Sequence, residues 1–184
     1  MIHELAAYEN ASDAVEATEA SLKRTLTFAP STTASHSNSH GYAKTLILRI
    51  TPTTTASPAG NPVPDPTPPQ KDQVIGMAMY FNNYSTWRSK PGVYLEDLFV
   101  RPEYRGRGYG KMLLQALARE VLRIDGGRLE WSCLRWNESS LKFYRGIGAK
   151  EMDGWVGLRV DGEELVRLAM GGGGCPEVRS PPVR

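Results

Sequence analysis

The run Tyr94-Leu95-Glu96-Asp97-Leu98-Phe99-Val100 leads within a few residues into Arg105-Gly106-Arg107-Gly108-Tyr109-Gly110-Lys111. A strand, a glycine-rich turn and then a helix start predict a nest of backbone N–H groups at a positive helix end, an arrangement that suits a pyrophosphate. The carboxylates Glu96 and Asp97 in the feeding strand put acid–base chemistry beside that anion site. Neighbours on a regular strand point to opposite faces, so only one of the two acids looks straight into a given cleft.

The elements that must position these groups follow from periodicity. Residues 2–9 and 13–26 read as helical, 29–41 as a polar loop, and 43–50 as a short strand. The stretch 51–70 carries seven prolines. It is expected to be a flexible insertion between two strands of one sheet, because proline cannot donate to a ladder and this composition buries too little to order itself. Gln73–Tyr84 and Gly92–Val100 are the next strands, joined by a turn containing Trp87 and Pro91-Gly92.

From Gly108, the residues Leu113, Leu114, Leu117, Val121 and Ile124 keep helical spacing, and Asp125-Gly126-Gly127 ends the helix. Arg128–Leu134 is a further strand. Asn137 caps a short helix to Ile147, with Gly148 beyond its end. Trp155–Val160 reads as the last strand, and Asp161 with Glu164 stands at capping-box spacing before a final short helix. The tail 171–184 is expected to be disordered. Meander strands followed by strand–helix alternation predict an α/β (α+β) fold, a mixed sheet with helices on both faces, in a single domain over 1–170.

Composition narrows the function classes. The net charge of 184 residues is only +2. The acids Glu4, Glu9, Asp13, Glu16 and Glu19 crowd the start, whereas Arg101, Arg105, Arg107, Lys111, Arg119, Arg123 and Arg128 surround the glycine turn and its helix. Bases that flank a turn and then spread along a helix point to a small phosphate ligand rather than nucleic acid. Cys133 and Cys175 make neither a disulfide framework nor a zinc site, and His3, His36 and His40 show no ligand spacing, so no metal is expected. No apolar stretch approaches the roughly 20 residues that span a bilayer. The start MIHELAAYEN lacks the layout of a signal peptide. The expected setting is cytoplasmic, with no membrane partner.

Arg105-x-x-Gly108-x-Gly110, placed between a strand and a helix and followed by Asn137 and Tyr144, resembles the acyl-CoA pyrophosphate loop of the GNAT superfamily of N-acetyltransferases. More narrowly, the chain is similar to the diamine acetyltransferases, which act on spermidine, spermine or thialysine. The matching pieces are residues 4–9 (ELAAYE), 76–80 (GMAMY), 94–97 (YLED) and 136–138 (WNE), with Phe143-Tyr144 and Gly154-Trp155.

The resemblance implies acetyl-CoA as co-substrate and a GNAT acyl-CoA N-acyltransferase fold. Residues 105–111, namely Arg105, Gly106, Arg107, Gly108, Tyr109, Gly110 and Lys111, take the pyrophosphate through their N–H groups. The backbone of Leu98, Phe99 and Val100 pairs with pantetheine and polarises the thioester carbonyl. Asn137 and Ser140 lie on the cofactor side. Glu96 draws the proton from an amine of pKa about 10, with Asp97 nearby. Tyr144 donates a proton to the leaving thiolate. Tyr8, Glu9, Trp87, Glu96, Asp97 and Asp153 line an acidic amine channel. A homodimer is implied on the same basis.

Two departures from the family pattern stand out. Family members carry a strand and part of a helix ahead of the segment that begins here at Ile2, so the fold is expected to lack its first strand. Ser85 stands where the family has an acid two residues before the tryptophan, which favours a shorter amine or a thialysine-like amino acid over a long polycation. The leading expectation is N-acetylation of a small primary amine by direct attack in a ternary complex. The rivals are acetylation of a protein lysine or N-terminus, and an acyl-CoA-binding homologue without turnover.

Overall fold

The computed structural model describes residues 1–27, 41–50 and 72–171. The proline-rich stretch and the tail, with Cys175, His36 and His40, lie outside the described residues. Packing divides the chain into two compact units, Met1–Leu134 and Arg135–Arg184.

The first unit holds one mixed sheet in the order β1 (Lys44–Ile50), β2 (Gln73–Ser85), β3 (Lys90–Val100), β4 (Leu129–Trp131). The first three strands are antiparallel, and β4 runs parallel to β3. Helix α1 is Ile2–Tyr8, α2 is Glu19–Thr25 and α3 is Tyr109–Arg123. Leu113, Leu114, Leu117 and Val121 recur at helical spacing and are the buried face of α3. The sheet contributes Ile75, Met77, Ala78, Val93, Leu95 and Phe99 to the same core. Leu117, Ile75 and Val93 are fully enclosed; burying each such side chain stabilises the fold by about 1.5–3 kcal/mol. This packing fixes the entry of α3, and with it the glycine turn, at the end of β3.

Several expected boundaries shift for identifiable reasons. The second helix begins at Glu19, because Thr18 and Ser21 form a reciprocal capping box: Thr18 Oγ1 accepts from the Ser21 amide and Ser21 Oγ accepts from the Thr18 amide. Upstream, only Ser12–Ala14 turns, as a single 3-10 turn. Pro91 and Gly92 belong to β3 rather than to the turn before it. The Val93 amide faces Arg128, so by alternation the amide-less nitrogen of Pro91 also faces away from β2 and removes no bond from that ladder. Close approach requires a glycine at 92, where a Cβ would collide with the side chain of Asn83.

β1 is an edge strand among the described residues. Just before it, Leu26 bridges Ala43, with the Thr27 amide donating to the Ala43 carbonyl at 2.7 Å and the Tyr42 amide to the Thr25 carbonyl at 2.7 Å. The segment after α2 therefore lies alongside the residues that lead into β1.

In the second unit, α4 is Glu138–Gly146 and α5 is Gly162–Ala169. The strand expected at Trp155–Val160 does not form, and these residues are exposed. Alternating apolar side chains make a strand only where a neighbouring ladder accepts them. Asp161 occupies the N-cap position of α5, but its side chain caps nothing. Among the described residues, no helix is long and apolar enough to cross a membrane.

Candidate active site

β3 is the spine of the site. β4 pairs with it only from Val93 to Leu95, so among the described residues no strand pairs with its remaining length on that side. Across the other side, Met79 faces Asp97 while Tyr80 faces Leu95, which leaves Glu96 as an extra residue in a β-bulge. The bulge reverses the direction of the backbone groups. Before it, the Val93 amide donates toward β4, to the Arg128 carbonyl at 3.0 Å. After it, the Arg101 amide donates toward β2, to the Ile75 carbonyl at 2.9 Å. By alternation Asp97 and Phe99 bond to β2, and Leu98 and Val100 turn their N–H and C=O groups to the open side. Of the three residues expected to meet an extended ligand, Phe99 is thus committed to β2, and its ring is in the core. The Val100 carbonyl accepts from Arg105 Nε at 2.8 Å.

Beyond β3, Pro102–Tyr104 makes a 3-10 turn, and Gly106 (φ 74°) and Gly108 (φ 84°) take left-handed conformations that L side chains rarely adopt. A Cβ on either glycine would meet nothing within 4 Å, so open space lies over the turn. Gly108 is the N-cap of α3 and has no side chain to offer; the first turn contains no acid. The first intrahelical bond is that of the Met112 amide to the Gly108 carbonyl, so the amides of Tyr109, Gly110 and Lys111 have no intrahelical acceptor. An uncapped first turn with the positive end of a 15-residue helix behind it is a cradle for an anion. The Arg107 guanidinium lies over the Tyr104 ring at 5.6 Å, with Lys111 exposed one turn into the helix.

The acids differ in their surroundings. Glu96 is exposed and Asp97 is half-buried. Burial, then the charge of Glu96, then that of Glu9 raises the Asp97 carboxyl above its usual range. Glu9, immediately after α1, thus belongs to the same acidic region. Tyr8 packs under the Arg105 guanidinium, 4.6 Å from its ring centroid. Trp87 is not part of this group. It sits in the β2–β3 turn, 89% exposed, and the strand from Lys90 to Glu96 separates them by roughly 20 Å at about 3.3 Å per residue.

In the second unit, Asn137 is buried and caps α4, its Oδ1 accepting from the Ser140 amide at 3.2 Å. Ser140 is half-buried. Tyr144 is half-buried, its ring centroid 5.3 Å from that of Phe143. Arg145 bridges Glu138 and Glu151 at 2.8 and 2.7 Å, pinning the end of α4 to the segment after it. Asp153 is exposed on that following segment.

The model of the acetyltransferase (GNAT) family matches residues 65–149. The thialysine N-epsilon-acetyltransferase of Bos taurus is 30% identical over 172 residues, covering 92% of this chain and 88% of that protein. The chain belongs to the GNAT acetyltransferase family. The L-ornithine N5-acetyltransferase of Arabidopsis thaliana is 38% identical over 92 residues, which span 50% of this chain and 40% of that enzyme. Among solved structures, an integron cassette protein from the mobile metagenome of V. cholerae aligns with a TM-score of 0.51 at 32% identity, covering 54% of this chain and 62% of that one.

The four-stranded mixed sheet with the glycine turn at the end of β3 is thus the GNAT fold of this chain. Within the GNAT match fall the turn, both acids of β3, Asn137 and Tyr144. What sequence reasoning missed is the Glu96 bulge, which breaks the strict alternation expected of the two acids, and the folding back of the exposed Arg105 side chain onto the Val100 carbonyl and the Tyr8 ring. The bulge leaves no mark in residue type. A basic residue preceding two glycines reads as a phosphate ligand unless the aromatic it packs on is known.

Proposed function

We propose that this chain transfers the acetyl group of acetyl-CoA to the side-chain amine of a small amino acid such as thialysine or ornithine, by direct attack in a ternary complex. The observation that carries the reading is the continuity of β3: outward-facing Leu98 and Val100, an uncapped anion cradle beyond them, and two carboxylates just before them.

Acetyl-CoA brings the acyl group already activated as a thioester. The amides of residues 106–111 hold its diphosphate; the Arg105 amide, expected to join them, already donates to the Pro102 carbonyl at 3.1 Å. Leu98 and the Val100 N–H bind the extended arm along the open edge, and one of these N–H groups polarises the carbonyl. The exposed Glu96 draws the ammonium toward the edge. Asp97 is the better proton acceptor, because burial and its two acidic neighbours raise its proton affinity toward that of the group it must deprotonate. In this respect the surroundings favour Asp97 over the Glu96 that the resemblance implied. Tyr144 keeps the role of proton donor to the leaving thiolate. Ser85 in place of an acid, together with the names of the thialysine and ornithine relatives, favours an amino-acid amine over a polyamine.

Calorimetric titration with acetyl-CoA, followed by a thiol-release assay over thialysine, ornithine, spermidine and a lysine peptide, tests the reading. Release with thialysine or ornithine above the other amines is the expected result. Preference for the peptide would move the function to protein acetylation, and binding without release for any amine would leave an acyl-CoA-binding homologue.

A further inference from the structure

Arg105 opens the cofactor turn, yet its side chain turns back from it. Nε donates to the Val100 carbonyl at 2.8 Å, and the guanidinium carbon lies 4.6 Å from the Tyr8 ring centroid and 5.6 Å from that of Phe99. The guanidinium is therefore held between the end of β3 and the last residue of α1. Arg101, at the start of the same connection, reaches Glu4 of α1 with Nε to Oε1 at 3.4 Å. Helix α1 has seven residues and buries only Ala6. A helix that short is not stable by itself, so its order depends on such ties. At its end stand Tyr8 and Glu9, and the charge of Glu9 reaches Asp97.

We infer that Arg105 is a positioning residue that couples the cofactor turn to the amine side, because fixing the turn on coenzyme A fixes the Arg105 side chain, α1 and, through α1, Glu9. The coupling rests on the acetyl-CoA reading of the turn given above. It works through a short element with a docked and a loosened state, whose balance the bound cofactor shifts. Arginine is required because its planar group bonds edge-on to a carbonyl while stacking face-on on a ring; lysine makes one contact or the other.

Hydrogen exchange with coenzyme A as the probe tests the coupling without any amine or turnover. In the unmodified chain, saturating coenzyme A should slow exchange both at residues 106–111 and across Ile2–Tyr8, the latter by about fivefold, the low end of measured couplings between sites. Arg105→Lys keeps the charge and should keep protection of the turn while losing that of α1. Tyr8→Leu leaves the Arg105–Val100 bond in place and should do the same. Protection of the turn with unchanged α1 in the unmodified chain, or undiminished α1 protection in both variants, would overturn the coupling and leave the cofactor reading standing. No heat of binding and no protection of the turn would overturn both.

Discussion

Asp97 stands in register with Met79 across the β2–β3 ladder, while its neighbour Glu96 is the extra residue of a bulge and has no partner in that ladder. Two adjacent carboxylates thereby acquire different surroundings, one half-enclosed and one exposed. The same bulge turns Leu98 and Val100 outward, so a single inserted residue prepares both the acids and the open edge.

The sign of the Asp97 shift gives the first prediction. Its folded-state proton affinity is raised above the usual value of 3.8 by burial, Glu96 and Glu9. The folded chain then binds the proton more tightly than the unfolded one, so this group's contribution is fully present below pH 3.8 and is lost as pH rises through the folded value. Asp97→Asn should therefore raise Tm at neutral pH, with the difference closing toward pH 3.8, while lowering kcat/KM by about 10²–10⁴-fold. Thermal melts across pH, paired with a pH–rate profile, check both halves. Glu96→Gln should chiefly raise the KM of the amine.

At Gly108 the left-handed backbone and the empty space around it separate strain from collision. Gly108→Ala should fold, at a cost of about 1–2 kcal/mol, a Tm lower by roughly 2–8 °C. Its methyl projects into the open space over the turn, where acetyl-CoA affinity should fall by at least about tenfold. Calorimetry reads the affinity, and an unchanged Kd would remove the turn from the cofactor site.

Tyr144→Phe keeps the ring that meets Phe143 and removes only the hydroxyl. The folded fraction should bind acetyl-CoA as before, while its kcat falls by about 100-fold as the leaving thiolate loses its proton donor. Near-normal turnover would sink the assignment.

How much of this was legible beforehand depended on whether local rules decide the outcome. Helix α3 was, because Leu113, Leu114, Leu117 and Val121 set its period and its burial together. The Asn137 cap was, because a side chain that bonds three residues ahead is a local device. Trp155–Val160 was not: its alternation is a strand pattern, but no strand forms there, because a strand depends on a neighbouring ladder that the local pattern does not encode. The helix expected over 13–26 starts later, at Glu19, because Thr18 and Ser21 set its start and outweigh the upstream helix formers. In the site, the glycine turn and the pair of acids were visible as residue types. The Arg105–Tyr8 contact depends on tertiary packing, which spacing does not encode.

Leu117 provides the control for stability without function. It is fully enclosed between α3 and the sheet, so Leu117→Ala should cost about 2–5 kcal/mol, read as a lowered urea midpoint at unchanged slope. If the folded fraction keeps its acetyl-CoA affinity, the core and the cofactor turn are separable.

The most direct test is to incubate the chain with thialysine or ornithine and acetyl-CoA carrying an isotopically labelled acetyl group, then locate the label by mass spectrometry. Label on the side-chain nitrogen, with one free thiol released per labelled product, is the predicted result. Acetyl-CoA bound but no labelled amine, with the thioester intact, would contradict acetyl transfer as the function of this site.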